Sequence, residues 1–146
     1  MNTIYLDTNI FVYSSQANSP FFSKCNNLLE YSLKKNIDLA TSTETIQEII
    51  HLSKKTKKIT TGLKTANTLL ELIQLLLPVD KETINLYLVL LKKYAHLKQV
   101  ESRDFIHIAS SLRYKINTLI TYDKGFKQFK ELESLTPDEF LRSFNF

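Results

Sequence analysis

The feature that most constrains the fold is a short apolar run near the N-terminus that ends abruptly at an acid. Thr3–Leu6 contains β-branched, aromatic and aliphatic residues without a charge, a pattern typical of a buried strand. Asp7 and its two small polar neighbours follow at once, and such residues favour turns and helix caps. Because ligands bind at the carboxyl edge of open α/β sheets, Asp7 is a candidate for chemistry as well as for an N-cap.

Length and composition predict a single domain over residues 1–146, since 43% of the residues are hydrophobic and Gly and Pro are too few for a linker. A chain of this size buries roughly two-thirds of its unfolded surface. The single cysteine, Cys25, has no partner for an internal disulfide, which together with the lack of an apolar leader predicts a cytoplasmic protein. Residues 69–79 are the most apolar, but they are few and include Glu71, so no membrane span is expected.

Apolar runs alternate with helical patterns along the whole chain. The predicted strands are residues 3–6, 37–41, 73–77 and 118–121, with a last short strand before a C-terminal turn. The predicted helices are residues 10–15, 21–33, a segment after 41–44, 63–72, 81–94 and 103–114. This alternation predicts an α/β fold with a mainly parallel sheet flanked by helices on both faces, because parallel neighbours need crossover connections.

Several polar residues are expected to cap these helices. Ser19 precedes Pro20, a favoured pair at a helix start, and residues 41–44 have the spacing of a capping box. Asp80 and Ser102 precede two further helical patterns and are predicted as their N-caps.

Four acids are predicted to meet at one edge of the sheet. Asp7 and Asp123 each follow a strand, whereas Glu48 and Asp104 lie in early turns of helices. Two carboxylates about 5 Å apart repel by roughly 3 kcal/mol at an effective dielectric of about 20, so a shared divalent cation would resolve the conflict. An all-oxygen ligand set favours Mg²⁺, with Mn²⁺ as a substitute, and such a site supports hydrolysis of phosphodiesters.

Each acid also has a local alternative. Glu48 has the spacing of a capping box with Thr45, and Asp104 would complement a helix N-terminus. Asp123 would form a turn with Gly125. Since all four acids are predicted at the same edge of the sheet, one shared site explains their positions better than four separate local roles.

Four segments carry a resemblance to a known family. They are residues 6–10 (LDTNI), Ser42 with Glu48, residues 102–104 (SRD) leading into Ile108 and Ala109, and residues 121–126 (TYDKGF). In this order they resemble the PIN-domain ribonucleases, and among them the small VapC-type toxins of toxin-antitoxin systems. The resemblance extends from residue 4 to about residue 137.

The resemblance implies a parallel five-stranded sheet and a metal-dependent endoribonuclease. It makes Asp7, Glu48, Asp104 and Asp123 the acidic quartet that holds Mg²⁺ or Mn²⁺, and it gives Asn9 and Thr121 the role of steadying that quartet by hydrogen bonds. Phe105 and Ser110-Ser111 depart from the usual pattern, but no carboxylate is affected, so activity is expected to be retained.

The resemblance also suggests partners: an RNA substrate, a co-encoded antitoxin whose C-terminal segment wraps the toxin, and a second copy in a homodimer. The net charge of +4 suits RNA or an acidic antitoxin equally. Arg103 and Lys124, beside quartet members, could meet phosphates, whereas the Lys54–Lys58 run is either an RNA groove or a solvated face. His107 is either a structural histidine or a contact of the site.

Two other functions remain open at this level. A phospho-acceptor receiver domain also places acids and Mg²⁺ at the carboxyl edge of a parallel sheet, although it normally has an acidic pair after its first strand. A catalytically silent RNA-binding module on the same scaffold would have a broken quartet. Here Asp7 stands alone after the first strand and the quartet is complete, so both fit less well than the nuclease.

Overall fold

A computed structural model describes residues 2–144 and has a five-stranded parallel sheet with helices on both faces. The strands are β1 (Thr3–Leu6), β2 (Asp38–Ser42), β3 (Leu75–Leu77), β4 (Thr118–Ile120) and β5 (Glu133–Leu135). The helices are α1 (Thr8–Ser14), α2 (Phe22–Lys34), α3 (Thr43–Lys55), α4 (Ile59–Leu72), α5 (Lys81–Lys93), α6 (Asp104–Arg113) and α7 (Pro137–Phe144). A 3₁₀ helix, Lys124–Gln128, follows β4. The predicted α/β class and parallel five-stranded sheet are confirmed.

The sheet order is β3-β2-β1-β4-β5, so β1 lies at the centre. Tyr5 is paired with Ala40 of β2 on one side and with Leu119 of β4 on the other. All pairs run parallel, which brings the carboxyl ends of β1, β2 and β4 to the same edge. The residues that follow these strands are therefore neighbours in space although they are distant in the sequence.

Two apolar cores cover the two faces of the sheet. Side chains alternate along a strand, so Ile4 and Leu6 face one core while Tyr5 faces the other. The first core includes residues of α1, α2, α3, α4 and α7, and the second is built mainly on α5 and α6. Within residues 2–144, no helix has the length and apolar character needed to cross a bilayer.

The helix ends show where local signals were misread. Asp80 caps α5 as predicted, with its side chain accepting a hydrogen bond from the Thr83 N–H at 2.9 Å. The prediction for Ser19 was wrong, because α2 begins at Phe22 and the Ser19 hydroxyl instead accepts from the Phe21 N–H at 3.1 Å. The prediction that Ser102 caps α6 was also wrong, since Arg103 takes the N-cap position of that helix.

Two further local predictions fail. Ser42 is the N-cap residue of α3, but its side chain makes no capping hydrogen bond among the described residues, so the capping box expected for residues 41–44 does not form. The expected C-terminal turn is a helix, α7, because Thr136 and Glu139 form a reciprocal cap at its start. The Thr136 N–H donates to Glu139 Oε2 at 2.8 Å, and the Glu139 N–H donates to Thr136 Oγ1 at 3.2 Å.

Gly62 allows α3 and α4 to pack closely, and it supports a stability prediction. A Cβ atom at Gly62 would overlap both Cβ and Oγ of Ser53, whose hydroxyl is bonded to the Ile49 carbonyl. Since Ser53 Cβ moves only with its backbone, Gly62→Ala should separate the helices. We expect the free energy of unfolding to fall by about 1–2 kcal/mol, even though alanine is the better helix former.

Urea denaturation measures this effect, with the exposed Asn67→Ala of the same helix as the control. Asn67→Ala should change the unfolding midpoint little. An unchanged or raised midpoint for Gly62→Ala would show that the two helices do not depend on this close approach.

Candidate active site at the carboxyl edge of the sheet

The fold brings the four predicted acids to one region. Asp7 follows β1 and caps α1, and its N–H donates to the Ile120 carbonyl of β4 at 3.0 Å. Asp123 comes three residues after the end of β4 and caps the 3₁₀ helix. Glu48 lies in the second turn of α3, and Asp104 is the first residue of α6. The charges of Asp7 and Asp123 act on Asp104, and the charge of Glu48 acts on Asp7.

Asp7 is the most buried member of the group, with only 6% of its surface exposed. Its Oδ1 accepts from the Thr8 N–H at 2.7 Å, and its Oδ2 accepts from the Thr121 hydroxyl at 2.6 Å and from Asn9 Nδ2 at 3.2 Å. Burial raises the pKa of Asp7, and the favourable contacts with His107, Thr121 and Thr8 offset only part of that effect. The ionised carboxylate is therefore costly here unless a cation accompanies it.

Thr121 and Asn9 form the polar network predicted beside Asp7. Besides donating to Asp7, Thr121 Oγ1 accepts from Asn9 Nδ2 at 3.1 Å and from the Asp123 N–H at 3.0 Å. Asn9 Oδ1 lies 3.4 Å from the Tyr122 N–H, which donates to it. One hydroxyl therefore links the loop after β1 to the loop after β4, and with them Asp7 to Asp123.

Glu48 is held from two sides. Its Oε2 accepts from the Thr8 hydroxyl at 2.7 Å, and its Oε1 lies 2.8 Å from His107 Nε2. Burial pushes the pKa of Glu48 up, but the hydrogen bond and the charge of His107 outweigh burial and leave that pKa below its usual value. The capping-box role with Thr45 is therefore not the role that Glu48 has in this structure.

Asp104 and Asp123 complete the group. Asp104 Oδ2 accepts from the Glu101 N–H at 3.1 Å, and Asp123 Oδ1 accepts from the Gly125 N–H at 2.8 Å. The turn that Asp123 was expected to make with Gly125 is therefore present as well. Burial, reinforced by the negative charges of Asp7 and Asp123, raises the pKa of Asp104 to about 6. Asp7 and Asp123 thus lie close enough to Asp104 to oppose its ionisation.

The donor chemistry fits a hard divalent cation. Within residues 2–144, no three carboxylate, imidazole or thiol groups converge closely enough to ligate one ion directly in this side-chain arrangement. Mg²⁺ typically takes only one or two carboxylates and keeps several waters, so the acids do not all need to bind it directly. Burial raises the pKa of Asp7 and Asp104, and the charges of neighbouring acids add to that effect, so a bound cation would stabilise the ionised carboxylates.

The three possible substrate contacts differ in accessibility. The Arg103 side chain is 48% exposed and its guanidinium donates to Glu44 Oε1 at 3.1 Å. Lys124 is exposed at the start of the 3₁₀ helix, directly after Asp123. His107 is only 1% exposed, so a direct contact with substrate does not fit this structure. Its ring is instead engaged by Tyr5 and Glu48.

Three residues around the site were missed at the level of sequence. Tyr5 bonds His107, Thr8 bonds Glu48, and Glu44 bonds Arg103. Only Thr8 had a usable signal, since it stands between Asp7 and Asn9 in the segment already singled out. A tyrosine in a buried strand and an acid in the first turn of a helix are too common to be diagnostic.

Replacing Thr121 tests the link between the two loops. Thr121→Val removes a donor to Asp7 and an acceptor for two N–H groups while keeping the shape of the side chain. We expect the free energy of unfolding to fall by about 1.5–3 kcal/mol, the range for hydrogen bonds to charged groups. Thr121→Ser keeps the hydroxyl and is the matched control. Equal urea midpoints for the valine and serine variants would contradict the assignment.

The fold and the site define an α/β protein with a group of acidic residues at the carboxyl edge of a parallel sheet. The sequence matches the PIN domain family over residues 4–132, and the chain belongs to this family. The strand order also differs from the 2-1-3-4-5 order of phospho-acceptor receiver domains, so the receiver alternative is wrong.

Known relatives and structures agree with this assignment. Ribonuclease VapC13 of Mycobacterium tuberculosis is 26% identical over 132 residues, covering 90% of this chain and 98% of the relative. Ribonuclease VapC23 of the same species is 28% identical over 120 residues, covering 82% of this chain and 92% of the relative. A structure of VapBC2 from Rickettsia felis, bound to a DNA fragment from their promoter, has the same fold, with a TM-score of 0.72. The two chains are 20% identical, and the match covers 90% of this chain and 96% of that chain.

Proposed function

We propose that the chain is a Mg²⁺-dependent endoribonuclease that hydrolyses RNA phosphodiester bonds and acts as the toxin of a type II toxin-antitoxin pair. The observation that carries the proposal is the buried Asp7, which lies close enough to Asp104 that its charge, with that of Asp123, adds to burial in raising the pKa of Asp104. The two relatives that are named ribonucleases support the choice of RNA as the substrate.

The quartet would hold the cation, with Mn²⁺ as a substitute for Mg²⁺. When bound, such an ion supplies Lewis acidity toward a phosphodiester and favours ionisation of a water molecule. Thr121 and Asn9 fix the Asp7 carboxylate, and Thr8 fixes Glu48, so neither acid has to reorganise during the reaction. Arg103 and Lys124 lie next to quartet members and carry the positive charges that would bind RNA phosphates.

The proposed partners follow from similar proteins. The chain has the fold found in the VapBC2 complex, which supports a cognate antitoxin as its partner. We also propose a homodimer, which light scattering after size-exclusion chromatography would test. The proposed site of action is the cytoplasm, where the RNA substrate would be found.

The direct test is cleavage of RNA oligonucleotides by the purified protein. We expect cleavage with Mg²⁺ or Mn²⁺, none after addition of EDTA, and recovery when Mg²⁺ is restored in excess. Glu71→Gln, an exposed acid of α4 far along the chain from the quartet, should cleave like the unmodified protein. Full activity in EDTA would reject the dependence on a metal ion. Binding of RNA without cleavage would favour the alternative of a catalytically silent RNA-binding module.

The toxin role needs a separate test in cells. Overexpression should arrest growth, and co-expression of a small DNA-binding protein encoded next to this chain should relieve the arrest. An active ribonuclease whose overexpression leaves growth unchanged would reject the toxin role while leaving the enzymatic proposal intact.

A further inference from the structure

His107 is a buried histidine whose ring is hydrogen-bonded on both sides. It lies on α6, three residues after Asp104, and is 1% exposed. Its Nδ1 lies 2.7 Å from the Tyr5 hydroxyl, and its Nε2 lies 2.8 Å from Glu48 Oε1. The Tyr5 and His107 rings also meet edge to face, with centroids 5.8 Å apart. The imidazole therefore has a fixed orientation between the central strand and the acidic site.

The chemistry of these partners sets the direction of one hydrogen bond. An ionised carboxylate only accepts, so Nε2 must carry a hydrogen and donate it to Glu48. The same Nε2 lies 3.6 Å from Asp7 Oδ1, which places its positive edge between the two carboxylates. His107 thus contacts both acids with one donor group.

A chain of hydroxyl groups fixes Glu48 from the other side. Thr8 Oγ1 donates to Glu48 Oε2 at 2.7 Å and lies 3.5 Å from Thr45 Oγ1. Thr45 Oγ1 lies 2.7 Å from Thr41 Oγ1, and the Thr41 hydroxyl donates to the Leu6 carbonyl at 2.8 Å. Both Glu48 oxygens are anchored, yet each carboxylate oxygen keeps a lone pair for a further ligand.

We propose that His107 is a positioning residue that, together with Tyr5, holds Glu48 and keeps it apart from Asp7 in the arrangement needed for the divalent cation. This inference rests on the proposed metal-dependent function and adds a residue to that site. Groups that orient metal ligands typically change metal affinity or activity by about 10–100-fold when they are replaced. A histidine that merely fills the core would affect stability without a selective effect on the cation.

Two substitutions separate the two ends of the imidazole. In His107→Gln the side-chain amide reaches as far as Nε2 and still donates to Glu48. In His107→Asn the shorter amide retains a polar group toward Tyr5 but withdraws the donor from Glu48. Both replace a buried polar ring with a smaller amide, so they share the packing defect and differ chiefly at Glu48. Tyr5→Phe removes only the hydroxyl at the Nδ1 end.

The experiment measures Mn²⁺ affinity by isothermal titration calorimetry, alongside kcat and KM for RNA cleavage and urea unfolding. We expect Mn²⁺ to bind His107→Gln within about 3-fold of the unmodified protein, and His107→Asn about 10–100-fold more weakly, with the loss in kcat rather than KM. His96→Gln, at an exposed position outside the site, is the control and should match the unmodified protein.

The outcomes are distinguishable. Equal Mn²⁺ affinity for the glutamine and asparagine variants would overturn the role of His107, whatever their stability. If His107→Asn does not fold, Tyr5→Phe decides, because an affinity equal to that of the unmodified protein would also overturn the proposal. Mn²⁺ binding without RNA cleavage in the unmodified protein would reject only the nuclease function. Failure of the unmodified protein to bind Mn²⁺ would overturn both.

Discussion

Asp7→Asn is expected to abolish Mg²⁺-dependent RNA cleavage while leaving the fold intact. The substitution preserves the shape of the side chain, and the amide oxygen can still accept from the Thr8 N–H. It removes the negative charge at the most buried acid of the site. We expect activity to fall at least about 100-fold, which is the upper end of the range for residues that act only through a metal ligand.

The stability of the metal-free variant has an expected sign. Because the pKa of Asp7 is raised in the folded state, the folded protein favours the protonated form. Ionisation of Asp7 therefore lowers stability as the pH rises through that raised pKa, and at neutral pH the charge opposes folding. Asp7→Asn removes this opposition, so its metal-free melting temperature should not fall by more than is explained by the loss of the two hydrogen bonds that Oδ2 accepts from Thr121 and Asn9.

Thermal melting with and without Mg²⁺ completes the test. A ligand that binds only the folded state raises the melting temperature, so Mg²⁺ should stabilise the unmodified protein and Glu71→Gln alike. The Mg²⁺ effect should disappear in Asp7→Asn. Full cleavage by this variant, or an undiminished Mg²⁺ shift, would remove the argument for a metal site at Asp7.

The strands were predictable because their signals are local and strong. The apolar run before Asp7 gave β1 at residues 3–6, as predicted, and Pro78 marked the end of the segment that contains β3. The predicted third strand began two residues early, at 73 instead of Leu75, since Ile73 is apolar but still caps α4. Hydrophobicity locates a buried segment, whereas its first residue depends on where the preceding helix ends.

Helix α7 was missed although its signal was present. Thr136 followed by Pro137 and by Glu139 has the spacing of a capping box with proline at the first helical position. The helix is only eight residues long, and its packing relies on Phe140, which is buried in one core. Two turns of helix are too short for apolar periodicity to distinguish a helix from a C-terminal turn.

The acids of the site were predictable from topology, but the groups that hold them were not. The carboxyl ends of neighbouring parallel strands share one edge, so acids that follow those strands, or lie early in the helices beside them, are expected near that edge. In contrast, the contact between Tyr5 and His107 joins residues 102 positions apart, and His107 meets Glu48 across 59 positions. Such pairs depend on the register of β1 and on the rotation of α6, which apolar periodicity does not define to within one side chain.

Phe126→Ala is the substitution with the largest expected effect on stability. Phe126 is fully buried in the 3₁₀ helix directly after the Asp123 loop, and its ring meets Phe129 edge to face with centroids 6.3 Å apart. Truncating a buried phenylalanine costs about 3–5 kcal/mol, because apolar contacts are lost and a cavity remains. Domains of this kind have only about 5–15 kcal/mol of stability, so the loss is a large part of the total.

The backbone of the same residue contacts a quartet member. The Phe126 N–H donates to the Asp123 carbonyl at 3.3 Å, so loosening the ring should also loosen the loop that carries Asp123. We expect Phe126→Ala to lower the urea midpoint strongly and to weaken Mn²⁺ binding, whereas Phe126→Leu should cost about 1.5 kcal/mol or less. If the alanine variant binds Mn²⁺ as tightly as the leucine variant when both are folded, Asp123 does not depend on this anchor. If the alanine variant also unfolds at the same urea concentration as the leucine variant, the second core does not depend on the aromatic ring.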